Sequence, residues 1–274
     1  MFVEDLESAK YYDALPRFTK EIYDYLETLG IKNKVIADIG SGTGRIAIDL
    51  LERGNTVCCV DLDENMRNIC DKKCNSFKDR YISVNGSDIK MNLKTKSIDY
   101  VITSQSFHRF NPIRFKNECN RVLKDNKNII IIWYRVDFSD PIIKDMLTSL
   151  KNNYKNYETR YNKSEIDGSK EEELLNNESA IKFFNNQSIM KEIYSKPLLN
   201  EEEFITLGLS LSLFPITHEM NTVTKVINSK EFNKEEYIKD LKSIFKKYSK
   251  DNKIELIFKV QIHSHNWQIM AFIV

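Results

Sequence analysis

Val35-Ile36-Ala37-Asp38-Ile39 runs directly into Gly40-Ser41-Gly42-Thr43-Gly44, and seventeen residues after that last glycine a second apolar run, starting at Thr56, ends in Asp61. A β-branched run followed by alternate glycines describes a buried strand that closes in a tight turn, because glycine takes left-handed backbone angles without a Cβ penalty. The second run describes another strand, ending in a carboxylate. In a doubly wound α/β sheet the carboxyl ends of two such strands lie side by side, and ligands collect beyond them. Bare glycine backbone leaves room for a ligand there, and a carboxylate at the neighbouring strand end accepts from both hydroxyls of a ribose. Together they describe an adenosine-type site.

The glycine register separates the cofactors that share this sheet. A dinucleotide loop has Gly-x-Gly-x-x-Gly, with the third glycine allowing close helix–sheet packing beside a pyrophosphate. Counted from Gly40 that position is Arg45, and the register is instead Asp38-x-Gly40-x-Gly42-x-Gly44. This resembles the cofactor loop of the class I S-adenosylmethionine methyltransferases. Both flanks agree, since residues 45–53 carry apolar side chains at helical spacing and Gly54 follows them. The resemblance implies S-adenosylmethionine as cofactor, with Gly40, Ser41, Gly42 and Gly44 beneath its methionyl end. It implies Asp38 orienting the loop or meeting the ammonium group, and Asp61 with Leu62 at the ribose. Ser104 would close the site from the fourth strand.

Strand and helix continue to alternate through the first half. Thr56 to Asp61 reads as a strand, Glu64 to Lys73 as a helix capped by Asp63 or Asn65, and Tyr81 to Val84 as a third strand. Ser97 to Thr103 reads as a fourth, Asn111 to Leu123 as a helix, Asn128 to Tyr134 as a fifth, and Ile254 to His265 as a late strand. Such βαβ repetition predicts a doubly wound α/β fold, here with a mainly parallel seven-stranded sheet. The expected segments are an N-terminal helical lid over 1–30, a Rossmann-like core over 31–137, a helical lid insertion over 138–189 and a part completing the sheet over 190–274. Tyr154, Tyr157 and Tyr161 fall at helical spacing in the insertion, as a substrate cover or as core. After the third strand, Asn85-Gly86-Ser87-Asp88 lies where such methyltransferases hold adenine, with Asp88 meeting the amino group and Ser87 supplying backbone; a surface turn is the other reading.

The fourth strand ends in Ser104-Gln105-Ser106-Phe107-His108-Arg109-Phe110-Asn111. It resembles the Gln-Ala-Phe-His-Trp-Phe-Asp signature of a small-molecule branch similar to trans-aconitate methyltransferase, with further likeness at Arg121-Val122-Leu123-Lys124, Phe183-Phe184 and Glu203-Phe204-Ile205. Arg109 stands where that branch has tryptophan, and Leu15 stands before Pro16 where many relatives have arginine. His108 and Arg109 are therefore the candidate catalytic residues. An acceptor that must lose a proton would use His108 as base, whereas a carboxylate acceptor needs only a cation such as Arg109 or Arg135 to place it. His108 as a histidine that shapes the pocket floor is the competing reading.

Composition narrows the partners. The 274 residues hold 41 basic against 40 acidic side chains, so no strong field recruits nucleic acid or an acidic membrane. The apolar run Ile129 to Tyr134 is too short to span a bilayer, and the acidic start Glu4-Asp5-Leu6-Glu7 is unlike a signal peptide. Cytoplasmic placement is expected, with five reduced cysteines, Cys58, Cys59, Cys70, Cys74 and Cys119, at spacings that suit neither a disulfide ladder nor a metal site. His263 and His265 share a strand face without a third ligand in view, so no metal is expected. The function expected is methyl transfer to a small-molecule acceptor. The alternatives are a nucleic-acid methyltransferase, whose Asn/Asp-Pro-Pro-aromatic tetrad is missing after the fourth strand, and a non-catalytic S-adenosylmethionine-binding regulatory protein.

Overall fold

The computed structural model describes residues 13, 16–153, 176–211 and 232–265. The helices are α1 (Lys20–Thr28), α2 (Arg45–Glu52), α3 (Glu64–Cys74), α4 (Pro112–Val122), α5 (Pro141–Asn152), α6 (Glu201–Leu211) and α7 (Lys234–Tyr248). The strands are β1 (Val35–Ile39), β2 (Thr56–Asp61), β3 (Tyr81–Asn85), β4 (Ile98–Ser104), β5 (Leu123–Val136), β6 (Ser188–Ser195), β7 (Leu198–Leu199), β8 (Ile254–Glu255) and β9 (Phe258–His265). Seven of them form one sheet in the order β3-β2-β1-β4-β5-β9-β6, and its pairs β3–β2, β2–β1, β1–β4 and β4–β5 are parallel. The sheet is the expected mainly parallel, seven-stranded one. Its order reverses between β1 and β4, which opens a crevice at their carboxyl ends.

Burial on both faces explains why β1 and β2 read as continuous apolar runs rather than alternating ones. Ala37, Ile39, Cys58 and Val60 join Val101, Ile131 and Trp133 in one core with Phe115, Cys119 and Val122 of α4 and with Phe183 and Phe184. By strand alternation Ile36, Asp38, Val57 and Cys59 face the opposite layer, and all four are buried. Local chemistry starts the helices. Asp63 accepts from the Asn65 and Met66 N–H groups at α3, which settles the cap in favour of Asp63, and Asn111 accepts from Arg114 N at α4, where Pro112 fills the first turn.

Two expectations about strands need correction. The run Ile254 to His265 is two strands, β8 and β9. At the break, Leu256 N donates to Pro197 O and Ile257 O accepts from Asp137 N, so these backbone groups are satisfied outside the sheet. Their side chains are apolar, and the sequence pattern carries no mark of the interruption. Strand β5 starts at Leu123 rather than Asn128. Its register with β4 shifts between Ile98↔Leu123 and Tyr100↔Asn128, a bulge that the polar run Lys124-Asp125-Asn126-Lys127 hides from an apolar pattern.

The chain forms two compact units. One holds residues 18–134, 174–193 and 259–274 and contains most of the sheet; the other holds residues 1–17, 135–173 and 194–258. In the second unit, Asp240 of α7 accepts from Ser149 Oγ at 2.7 Å and from Asn153 Nδ2 at 2.8 Å, tying α7 to α5. Helices α6 and α7 pack closely at Gly208, where a Cβ would lie 2.6 Å from Leu241 Cδ1. Of the expected N-terminal lid over 1–30, residues 1–12, 14 and 15 lie outside the described residues, as does the stripe Tyr154, Tyr157 and Tyr161. No described helix is long and apolar enough to cross a membrane.

Candidate active site

All three loop glycines take positive φ, 68° at Gly40, 55° at Gly42 and 75° at Gly44, the conformation that penalises any side chain. Space matters as well as angle. A Cβ on Gly40 would lie 2.6 Å from Ser106 Oγ, and one on Gly44 would lie 2.5 Å from Cys70 Sγ. The turn is anchored to β2 by Gly40 N and Ser41 N, which donate to Val60 O at 2.8 and 3.2 Å. Gly44 then caps α2 in the left-handed conformation without a side-chain cap. The first N–H groups of α2 have no intrahelical acceptor and present a partial positive charge beside the loop.

Asp61 stands at the end of β2 with both oxygens fixed by backbone. Oδ2 accepts from Gly42 N at 2.8 Å and Oδ1 from Asp63 N at 2.9 Å, while Arg67 Nη1 donates to the Asp61 carbonyl at 2.9 Å. Each carboxylate oxygen keeps a further lone-pair direction, so the group is oriented yet still able to accept from a diol. Burial pushes its carboxyl above the usual range, and the two backbone N–H groups work against that shift. Leu62, the next residue, is 52% exposed and offers an apolar surface beside that carboxylate.

Asp38 lies on β1 beneath the loop, 1% exposed, and neither of its oxygens has a hydrogen-bond partner among the described residues. Burial, then the neighbouring Cys70 and Asp61, hold its carboxyl well above the ordinary carboxylate range. A buried acid without partners is costly, and a cationic ligand group or a water held by one supplies what it lacks. That orphaned carboxyl is the observation by which the loop fits a ligand bearing an ammonium group.

At the end of β3 the two adenine candidates are brought close but are already engaged. Asp88 Oδ2 accepts from Asn111 N at 3.0 Å, linking the β3 turn to the start of α4, which leaves Oδ1 for another donor. Ser87 N donates to Lys90 O at 2.9 Å, so its N–H is spent within the turn. Ile89, 42% exposed, sits in the same turn.

Across the crevice, Ser106 Oγ donates to Gly40 O at 2.9 Å and to Ser104 O at 3.1 Å, joining the β4 end to the loop. Gln105 adopts φ 61°, rare for a residue with a side chain, and is held there by Gln105 N donating to Ile132 O and its amide donating to Tyr134 O. A short 3₁₀ turn, Phe107–Arg109, then buries Phe107 and leaves His108 and Arg109 exposed. The His108 ring rests 5.6 Å from that of Trp133, and Arg109 Nε donates to His108 Nε2 at 3.1 Å. In that contact Nε2 is the acceptor.

Sequence reading missed Ser106 as a link and Arg45 as a buried cation, 8% exposed, lying over the Phe18 and Tyr134 rings. Arg45 was visible only as the residue that breaks a dinucleotide register. All five cysteines are buried and free. His263 and His265 meet Asn177 and Gln187 amide oxygens at 2.9 and 3.1 Å, so each acts as a hydrogen-bonding strand residue.

Parallel order, switch-point crevice and glycine loop define a Rossmann-like, doubly wound α/β architecture. The family model described as a methyltransferase domain matches residues 37–131. The chain is 27% identical over 118 residues to an uncharacterized methyltransferase of Mycobacterium bovis, covering 43% of this chain and 46% of that protein. It is 29% identical over 119 residues to ribosomal RNA small subunit methyltransferase A of Mesomycoplasma hyopneumoniae, covering 43% and 44%. The chain thus spans about half the length of the curated relatives it matches. A solved structure from Anaeromyxobacter dehalogenans, provisionally described as a type II methyltransferase, superposes with a TM-score of 0.57 at 17% identity over 92% of this chain and 97% of that one. That likeness is one of fold.

Proposed function

We propose that this protein is an S-adenosylmethionine-dependent methyltransferase acting on a small-molecule acceptor. One observation carries the reading: the Asp61 carboxylate is locked by Gly42 N and Asp63 N beside three left-handed glycines. When bound, S-adenosylmethionine supplies a methyl group activated by its sulfonium sulfur. Asp61 accepts from the ribose diol, Leu62 covers the adenosine, and Asp88 uses Oδ1 for the adenine amino group. Gly40, Ser41, Gly42 and Gly44 admit the methionyl end, Asp38 answers its ammonium group through water, and Ser104 bounds the site from β4.

A displacement of this kind gains chiefly from alignment and exclusion of water, so a base is needed only for acceptors that carry a proton. With His108 Nε2 occupied by Arg109, the pair is arranged to position rather than to deprotonate, which favours a carboxylate acceptor held by the Arg109 fork. Balanced charge supports a small acceptor over a nucleic acid.

Calorimetry with S-adenosylhomocysteine tests the cofactor assignment. Asp61→Ala removes hydrogen bonds to a charged acceptor worth about 1.5–3 kcal/mol, a loss of roughly ten- to a hundredfold in affinity. Unchanged affinity in that variant, or tight binding of NAD by the parent, overturns the reading. Release of S-adenosylhomocysteine with any acceptor distinguishes the enzyme from a cofactor-binding regulator.

A further inference from the structure

We propose that Arg45 is a carboxylate receptor that takes the methionyl carboxylate of the bound cofactor, an assignment that rests on the glycine loop being the cofactor site. Arg45 is the first residue of α2, directly after Gly44. Its side chain does not reach out to water as an arginine at a helix start ordinarily does. It is 8% exposed, and Nε and Nη2 are buried with no hydrogen-bond partner among the described residues.

What surrounds the guanidinium is aromatic. Cζ lies 4.8 Å from the Phe18 ring centre and 4.5 Å from that of Tyr134, and the two rings meet edge to face at 4.9 Å. Ring faces attract the cation but offer no lone pair to in-plane N–H donors, so the charge is held while the hydrogen bonds of Nε and Nη2 go unmade. The acid one turn on along α2, Asp49, accepts from the Tyr23 hydroxyl at 2.5 Å. A desolvated guanidinium with unpaired donors is a standing cost, which an anion of matching fork geometry removes.

Position selects the anion. Tyr134 is tied through its carbonyl to Gln105, at the carboxyl end of β4, so Arg45 lies at the β1/β4 crevice on the loop side, while Asp61 marks the ribose side. A ligand with its ribose on Asp61 and its ammonium towards Asp38 brings the other charged group of its amino-acid end, a carboxylate, to the loop and the start of α2. Asp38 and Arg45 then answer the two charges of one amino-acid end.

The test compares two probes by calorimetry: S-adenosylhomocysteine and 5′-methylthioadenosine, which keeps the nucleoside thioether and lacks the amino-acid end. The parent is expected to prefer S-adenosylhomocysteine. Arg45→Met should weaken S-adenosylhomocysteine by roughly ten- to a hundredfold, leave 5′-methylthioadenosine unchanged, and so erase most of the preference, with Arg45→Lys between the two. A second measurement needs no variant: the methyl ester of S-adenosylhomocysteine should bind the parent at least about tenfold more weakly than the free acid. Equal binding of acid and ester, or an Arg45→Met preference equal to the parent's, overturns the assignment while leaving the cofactor reading intact. A parent that binds neither probe overturns both.

Discussion

At the scale of single residues, the chemistry of the site turns on which lone pairs are already used. His108 Nε2 accepts from Arg109 Nε, and the ring lies against Trp133. A general base needs a nitrogen that is both unprotonated and open to the acceptor, and Nε2 is turned to Arg109 instead. His108 is therefore expected to act by holding Arg109, whose guanidinium fork meets a carboxylate in two parallel bonds. The measurement is a pair of variants, Arg109→Lys and His108→Gln, assayed from pH 5.5 to 9 with an acceptor that supports turnover. Arg109→Lys keeps the charge and loses the fork, so a fall of about tenfold or more in kcat/KM is expected, equivalent to about 1.4 kcal/mol. His108→Gln should lose less and show no missing limb in its pH profile. Collapse of His108→Gln together with loss of a limb near the usual histidine range would instead identify a base and a phenol, amine or thiol acceptor.

At the scale of elements, strand β9 sets a pH limit on stability. His263 is fully buried, its Nε2–H donates to Asn177 Oδ1, and Nδ1 has no partner among the described residues. Burial pulls its pKa down to about 4, because the protonated ring would be a desolvated cation with an unpaired donor. Above the ordinary value near 6.5 the ring is neutral in both states and contributes no slope. Between about 6.5 and 4 the unfolded chain takes up a proton that the folded one refuses, so stability falls as pH falls, by about 3 kcal/mol at most. Denaturant unfolding of the parent and His263→Gln at pH 7, 5.5 and 4.5 checks this; a slope unaltered by the substitution counts against it. The same strand marks the limit of what sequence shows. Strand β2 was legible to the residue, Thr56 to Asp61, because a doubly covered strand is a short apolar run bounded by polar residues. The glycine loop and Asp61 were legible because their demands are local: left-handed φ and a strand-end carboxylate. The break before β9 was not, since Leu256 and Ile257 are apolar and the break lies in their backbone partners. Ser106 and Arg45 were missed for a related reason, as their contacts with the loop and with the Phe18 and Tyr134 rings exist only in the folded sheet.

At the scale of the whole molecule, charge bears on the choice between a small acceptor and an RNA. The similarity to ribosomal RNA small subunit methyltransferase A spans 44% of that protein. RNA binding draws its affinity from neutralised phosphates, and affinity then falls with salt in proportion to their number, with a logarithmic slope of about −0.7 per contact on single strands. A chain with 41 basic and 40 acidic side chains has no net surplus to drive it. A local basic groove would have to do so alone. The expected outcome is binding of a small-subunit ribosomal RNA hairpin no tighter than the nonspecific range, about 10⁻⁴ to 10⁻⁶ M at physiological salt. Release of S-adenosylhomocysteine should follow the addition of small carboxylic acids and not of that RNA. Two measurements decide it: filter binding across 50 to 200 mM salt, and a product-release screen run with both acceptor types. A slope steeper than about −3, the mark of four or more phosphate contacts, would show that a basic groove outweighs the balanced total. Coupled to RNA-dependent release, it would transfer the assignment to a nucleic-acid methyltransferase.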